Sequence, residues 1–509
     1  MLAKVLSAAI DGIGTTTIEV EADLGQGLPS FAIVGLPDKA IDESKERIRS
    51  AIRNSGVKFP TKRITINLAP ANIRKSGPSY DLPIAIALLA SDEQIPVASL
   101  SNSLFIGELS LNGSLRSIPG ILPVTHMAIT KGIKNIFLPS DNAEEAALLE
   151  GINIIPVANL DDLIFHLKEE KIIPKFRGSD ISKLIKNKPA SVDFEDVRGQ
   201  QHAKRALEIA AAGHHNIIFS GPPGSGKTLL AKALIGILPD MSKKEIFDVT
   251  TIYSIAGEIT KDNPLIISRP IRSPHHTSSY VSIVGGGQFP KPGEISLAHH
   301  GVLFLDEFPE FPRSVLETLR QPLEEGEVVV ARAASSVRFP ADFMLVAAMN
   351  PCPCGYYTDP EKNCQCTAHQ INLYRKKLSG PLLDRIDLHI EVPRLSFEKM
   401  TEKSEPTKSE TIKNRVTNAR KIQSQRFESL PIELNSQMNT RQIEKFCQVD
   451  ETSTNLLRQA VNKLQLSGRA YHRVLKLART IADLDNSNEI KTPHIAEALQ
   501  YRSQAQFTL

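Results

Sequence analysis

An α/β protein of about three units is the fold class that the sequence predicts, and three observations predict it. Short apolar runs alternate with helix-period patterns over residues 1–165. A four-residue apolar run, 217–220, ends in a glycine-rich turn followed by a helical pattern. The stretch 412–500 is helical in pattern throughout. At 509 residues the chain exceeds one hydrophobic core, since domains run to roughly 100–200 residues. Its 41% hydrophobic and 23% charged residues exclude a disordered or fibrous class.

In the first unit, 1–167, strands are expected at 17–20, 30–34, 64–68, 104–108, 135–138 and 152–157. Helices are expected at 39–55 and 82–90. Residues 168–192 open on a basic stretch with a proline and a glycine, which predicts an exposed linker. The second unit is 193–395. A polar stretch then leads into a helical domain, 396–509. No apolar run approaches the ~18–20 residues that span a bilayer, and the N-terminus lacks an uninterrupted apolar core. Neither a membrane span nor a secretion signal is expected. Four of the five cysteines fall between 352 and 366, which excludes a distributed disulfide framework and points to a reducing cytoplasm. Sixty basic against 57 acidic residues give a net +3, so any nucleic-acid surface must be a local one.

The turn after 217–220 reads Gly221-Pro222-Pro223-Gly224-Ser225-Gly226-Lys227-Thr228, the phosphate-loop pattern GxxxxGK[ST] between strand and helix. Its glycines let backbone N–H groups face phosphates, and the helix N-terminus adds a partial positive charge. Lys227 would reach the β- and γ-phosphates, and the Thr228 hydroxyl would ligate Mg²⁺. A second apolar strand, 301–305, ends in Asp306 and Glu307. Asp306 is expected to hold Mg²⁺ and Glu307 to polarise an attacking water. Lys227 and Asp306 lie 79 residues apart, more than one helix and one strand need, so an insertion is expected between them.

A third strand, 343–349, ends at Asn350, either a γ-phosphate sensor or a turn residue before proline. Arg385 lies on a short turn and Arg469 opens a helical run. Each suits a phosphate contact or an ordinary ion pair.

Cys352-x-Cys354 and Cys364-x-Cys366 place four thiols within fifteen positions. They suit a closed Zn²⁺ tetrahedron, with redox chemistry or packing as the alternatives. Cys447, alone in the helical tail, is expected to be an inert core residue. The histidine pairs 214–215, 275–276 and 299–300 chelate poorly, because adjacent side chains point apart. They are expected to make structural hydrogen bonds, or, at 274–277, to serve an insertion loop.

In this order the motifs resemble an AAA+ ATPase of the magnesium-chelatase-like group. Over nearly the whole chain the sequence is similar to the ComM/YifB family. The stretches that carry the resemblance are Gly35-Leu-Pro-Asp, the run 69–83, Val197-Arg-Gly-Gln-Gln201, Arg272-Ser-Pro-His-His-Thr277, Leu303-Phe-Leu-Asp-Glu307, Asn350-Pro-Cys-Pro-Cys-Gly355 and the run 378–388. The resemblance implies a Lon-like (ribosomal S5-like) N-terminal domain, a P-loop core with helix-2 and pre-sensor hairpin insertions, and a C-terminal helical lid. Val197, Gly199 and Gln200 would then lie near the adenine, and Asn350 would be the first sensor. Arg385 would be an arginine finger reaching a neighbouring subunit, and Arg469 the second sensor. A site completed by a neighbour implies a homo-hexameric ring.

The two insertions would face a central pore, where Lys261, Arg269, Arg332 and Arg338 are candidate DNA contacts. Such contacts grip phosphates without reading base sequence. In the N-terminal domain Ser79 matches the Lon nucleophile, but Leu122 falls where that family has its lysine, so no protease is expected. The resemblance implies an ATP-driven motor for branch migration on single-stranded or branched DNA in natural transformation, with recombination proteins as partners. The alternative is an ATPase that remodels a metal chelatase or another protein. A nucleotide-switched scaffold is a third reading, disfavoured by Glu307.

Overall fold

A computed structural model of the chain describes residues 2–73, 75–178, 192–260, 262–287, 290–331, 336–359, 361–395, 407–464 and 466–502. The first unit is built on a seven-stranded sheet in the order Ser30–Val34, Arg63–Ala69, Gly14–Gly25, Ala3–Asp11, Ser103–Phe105, Asn135–Pro139, Asn153–Val157. The first strand pairs antiparallel with the second from Ala3↔Ala22 to Asp11↔Gly14, while the last three add in parallel. Alternation along Gly14–Gly25 buries Ile18, Val20 and Ala22. Helix Asp81–Ser91 is buried at every position, so its apolar sequence is continuous rather than periodic. Helix Lys39–Asn54 is amphipathic and starts at Asp38, whose side chain accepts the Ile41 N–H at 2.9 Å.

The expected linker does not begin at 168. The Phe176 N–H donates to the Ile154 carbonyl at 2.8 Å and its ring packs on the first unit's core. Apolar Ile173 and Phe176 hold this basic stretch to the sheet, and 179–191 lie outside the described residues.

The second unit carries a five-stranded parallel sheet in the order Ile271–Arg272, Val302–Leu305, Met344–Met349, Ile217–Ser220, Leu388–Glu391. Ile217–Ser220 is buried along its whole length, which explains its run of apolar residues. Between Lys227 and Asp306 the chain adds helix Lys243–Ala256 and the hairpin Gly285–Gly286/Lys291–Pro292. That added helix docks on the first unit. Ser254 Oγ donates to buried Glu145, and the Gly120 N–H donates to the Ser254 carbonyl at 3.0 Å. A second hairpin, Glu327–Ala331 with Ser336–Pro340, precedes Met344–Met349.

The C-terminal helices share one core with the parallel sheet, Val416, Val474 and Ile481 packing with Leu207 and Ile217. His215 joins the two, with Nε2 2.8 Å from Thr480 Oγ1 and Nδ1 3.3 Å from Asp387. Among the described residues no helix is long and apolar enough to cross a membrane.

Buried neutral histidines make this packing acid-sensitive. His299 accepts the Asp342 N–H at 3.0 Å. Burial, assisted by neighbouring His300, pulls its pKa down to about 4. Burial and Arg502 lower His389 to about 3, and burial lowers His215. Between pH 6.5 and 4 the unfolded chain therefore binds more protons than the folded one, and stability falls as pH falls. Asp81, raised to about 6 by burial against the pull of Arg47, offsets part of this. Denaturant titrations are expected to show roughly 2 kcal/mol less stability at pH 5 than at pH 7. His299→Gln should narrow that difference, and a flat profile would contradict the assignment.

Candidate nucleotide site and cysteine cluster

A cavity of about 650 Å³ opens at the C-terminal ends of the parallel strands, lined by the 223–229 turn, Ser273–His276, Asp306, Glu307 and Asn350. Local geometry explains the glycines. A Cβ on Gly221 would meet the Val392 carbonyl oxygen at 2.1 Å, and Gly224 and Gly226 hold φ of 77° and 92°. Lys227 begins the following helix, 8% exposed. Its Nζ donates to the carbonyls of Gly221 (2.7 Å) and Pro222 (2.9 Å) and lies 3.4 Å from Asn350 Oδ1. Burial lowers its pKa to about 8, with the Asp306 carboxylate working the other way. An anion entering the cavity would favour the charged ammonium further.

Thr228 Oγ1 lies 3.0 Å from Asp306 Oδ2. Adjacent oxygens of an octahedral Mg²⁺ shell are about 3.0 Å apart at Mg–O near 2.1 Å, so the pair fits a shared cation. Glu307 takes a left-handed backbone, φ 52°, and its N–H donates to Asp306 Oδ1 at 2.9 Å. Its carboxylate meets His276 Nδ1 at 3.1 Å. Only the 272–277 run hints at this contact in the sequence.

The other expected site residues sit elsewhere. Val197 is buried in the core, and a Cβ on Gly199 would touch Leu395 at 3.0 Å. Gln200 donates to the Pro393 carbonyl at 2.8 Å. Gly199 and Gln200 contact the 392–395 segment, whose Val392 carbonyl crowds Gly221, and none of the three residues lines the cavity. Arg385 does not line it either. It is 5% exposed, donates to the Pro381 carbonyl at 2.6 Å and is ion-paired with Glu324. Arg469, mostly exposed, approaches the same Glu324 at 3.8 Å. Glu324, which the sequence reading missed, gathers both arginines; nothing in its local sequence marks it.

Of the candidate DNA contacts, Arg338 projects from the second hairpin, 70% exposed and paired with Glu327 at 2.6 Å. Arg269 does not offer its charge outward. Its guanidinium is committed to Glu245 and to the carbonyls of Pro239 and His300, because it braces the added helix against the sheet. Lys261 and Arg332 lie outside the described residues.

The four cysteine sulfurs converge within 4.8 Å of one another. Sγ–Sγ distances are 3.4 Å (352–354), 3.7 Å (352–364) and 3.6 Å (354–364). A tetrahedron with Zn–S near 2.3 Å has edges of about 3.8 Å, so the donor set fits Zn²⁺. Cys354 is drawn down to about 6: burial opposes this, and backbone N–H groups of Tyr356 and Gln365 outweigh it. Cys447 is buried in the helical core and its thiol is pushed up by burial. In the first unit the lysine position is held by buried Leu122, whose aliphatic side chain offers Ser79 no base.

Three family models cover most of the chain: "Magnesium chelatase, subunit ChlI" at 193–400, "Subunit ChlI of Mg-chelatase" at 20–142 and "Magnesium chelatase, subunit ChlI C-terminal" at 406–502. The chain is 44% identical to the competence protein ComM of Haemophilus influenzae, over 99% of this chain and 97% of that one. It is 42% identical to the YifB protein of Escherichia coli, with the same coverage. A partial match, 26% identical over 36% of the chain, is to Lon protease 2 of Bacillus subtilis. Kinship from end to end, a P-loop cavity on a parallel sheet and a Lon-like first unit lead to one conclusion: the chain belongs to the ComM/YifB family of magnesium-chelatase-like AAA+ ATPases.

Proposed function

We propose that this ATPase is a hexameric motor that drives branch migration on single-stranded or branched DNA. In this reading Lys227 and the loop N–H groups hold the ATP phosphates, and Thr228 and Asp306 hold Mg²⁺. Glu307 takes a proton from the attacking water, and Asn350 positions the γ-phosphate. Arg385 of a neighbouring subunit and Arg469 of the lid offset charge in the transition state. Val197, Gly199 and Gln200 border the base, and the four cysteines hold a structural Zn²⁺. The regions 1–167, 193–395 and 396–509 act as platform, motor and lid.

The observation that carries the DNA reading is identity along the full length to a relative named a competence protein, joined to a hairpin that presents Arg338. Arg338 and, by sequence, Lys261 and Arg332 would contact phosphates. Recombination proteins would be the natural partners, and the cytoplasm the natural compartment.

The test compares ATPase rates with no DNA, linear duplex and a four-way junction. Junction DNA is expected to raise the rate several-fold, and affinity should fall steeply with salt. Arg338→Ala should weaken binding to all sequences alike and reduce the salt slope by about one. Failure of every DNA to stimulate would remove this reading. The family models named for a chelatase subunit favour a second one, remodelling of a protein partner. A pulldown dominated by one protein, independent of DNA, would support it.

A further inference from the structure

The cysteine loop begins beside Asn350 on the nucleotide cavity and packs on Pro223, and this contact carries an inference that rests on the zinc reading above. Cys352 follows Asn350 by two residues at the end of strand Met344–Met349, and Asn350 is the side chain that meets Lys227. The turn Cys352–Gly355, closed by the Gly355 N–H on the Cys352 carbonyl at 3.0 Å, lies on the phosphate loop. A Cβ on Gly355 would sit 2.7 Å from Pro223 Cδ and 3.8 Å from Asn350 Cγ, with φ already 86°. No other residue lets the loop come so close to Pro223 without displacing it.

The second cysteine pair is fixed from the other side. Cys366 directly precedes Thr367, whose side chain caps helix Ala368–Arg375 by accepting the Gln370 N–H at 3.3 Å. That helix carries buried Tyr374, whose hydroxyl lies near the Asn350 backbone. Between the pairs, Asp359 and Glu361 hold Arg394 at 3.8 Å and 3.1 Å. Arg394 belongs to the 392–395 segment that crowds Gly221 and accepts from Gln200. One loop thus supports the sensor asparagine, the phosphate loop and the segment beside Gln200.

We infer that the four-cysteine site is a brace for nucleotide binding: Zn²⁺ on Cys352, Cys354, Cys364 and Cys366 sets the positions of Pro223, Asn350 and Arg394, and so sets the affinity for ATP. With four thiolate ligands the ion has no open position, so its contribution is geometric. Misplacement of functional groups by about 1 Å can cost on the order of 100-fold in rate, and a loss of about tenfold in affinity is expected here.

The test uses the full-length chain and two separate readouts, zinc per chain by elemental analysis and affinity for a fluorescent ATP analogue in excess Mg²⁺. The isolated protein is expected to hold one zinc per chain. Removing it with a zinc-selective chelator should weaken analogue binding about tenfold, and adding Zn²⁺ back should restore it, which also shows that the fold survived. Cys364→Ser with Cys366→Ser should lose zinc and affinity together. Lys227→Ala should lose affinity and keep its zinc. A chain isolated without zinc would overturn the zinc reading and the brace with it. Zinc removal that leaves affinity unchanged would overturn the brace alone.

Discussion

Replacing Glu307 by glutamine is expected to leave ATP binding within about twofold of the natural chain while slowing hydrolysis at least 100-fold, the usual weight of a general base. The geometry separates the two effects. Binding rests on Lys227, on the loop glycines and on the Thr228–Asp306 pair, and Glu307 joins none of these through its side chain. Its carboxylate is held at His276, which also lines the cavity. Glutamine keeps the size and the backbone N–H to Asp306 while removing the proton acceptor. Phosphate release and analogue binding, measured on one preparation, decide it. Hydrolysis within threefold of the natural chain would assign Glu307 a structural part.

How legible this was depends on how far apart the partners lie in sequence. The helix Asp81–Ser91 follows from short-range pattern, because its unbroken apolar run is buried at every position, and Ser30–Val34 forms as an edge strand of β-prone residues with only Ile33 buried. The phosphate loop was legible for the same reason, since its strand, glycines and helix are contiguous. The 79-residue spacing announced an insertion without showing that its helix docks on Glu145 of the first unit. Arg269 shows the converse failure. A basic residue in an insertion reads as exposed, and only the fold reveals the two carbonyls and the carboxylate that enclose it. The 168–178 stretch failed likewise, because two apolar residues among many charges decided its attachment.

Arg385 is the sharper case, since sequence and structure place different demands on it. Its side chain is buried, held by Glu324 and the Pro381 carbonyl, and absent from the cavity wall of its own chain. If it serves hydrolysis, it must serve another subunit's phosphates, with Glu324 aiming it. Arg385→Ala is therefore expected to lower hydrolysis by about 10³-fold, the scale of an arginine finger, with little change in ATP affinity. The decisive measurement mixes subunits. Arg385→Ala keeps an intact phosphate loop, and Lys227→Ala keeps an intact Arg385, so neither hydrolyses alone. In a mixed ring, an Arg385→Ala loop beside a Lys227→Ala neighbour has every group it needs, and part of the activity should return. A mixture no more active than the sum of its parts, from chains that still co-assemble, would show that Arg385 acts only within its own subunit. In that event the ion pair with Glu324 is structural, and the site is complete in one chain.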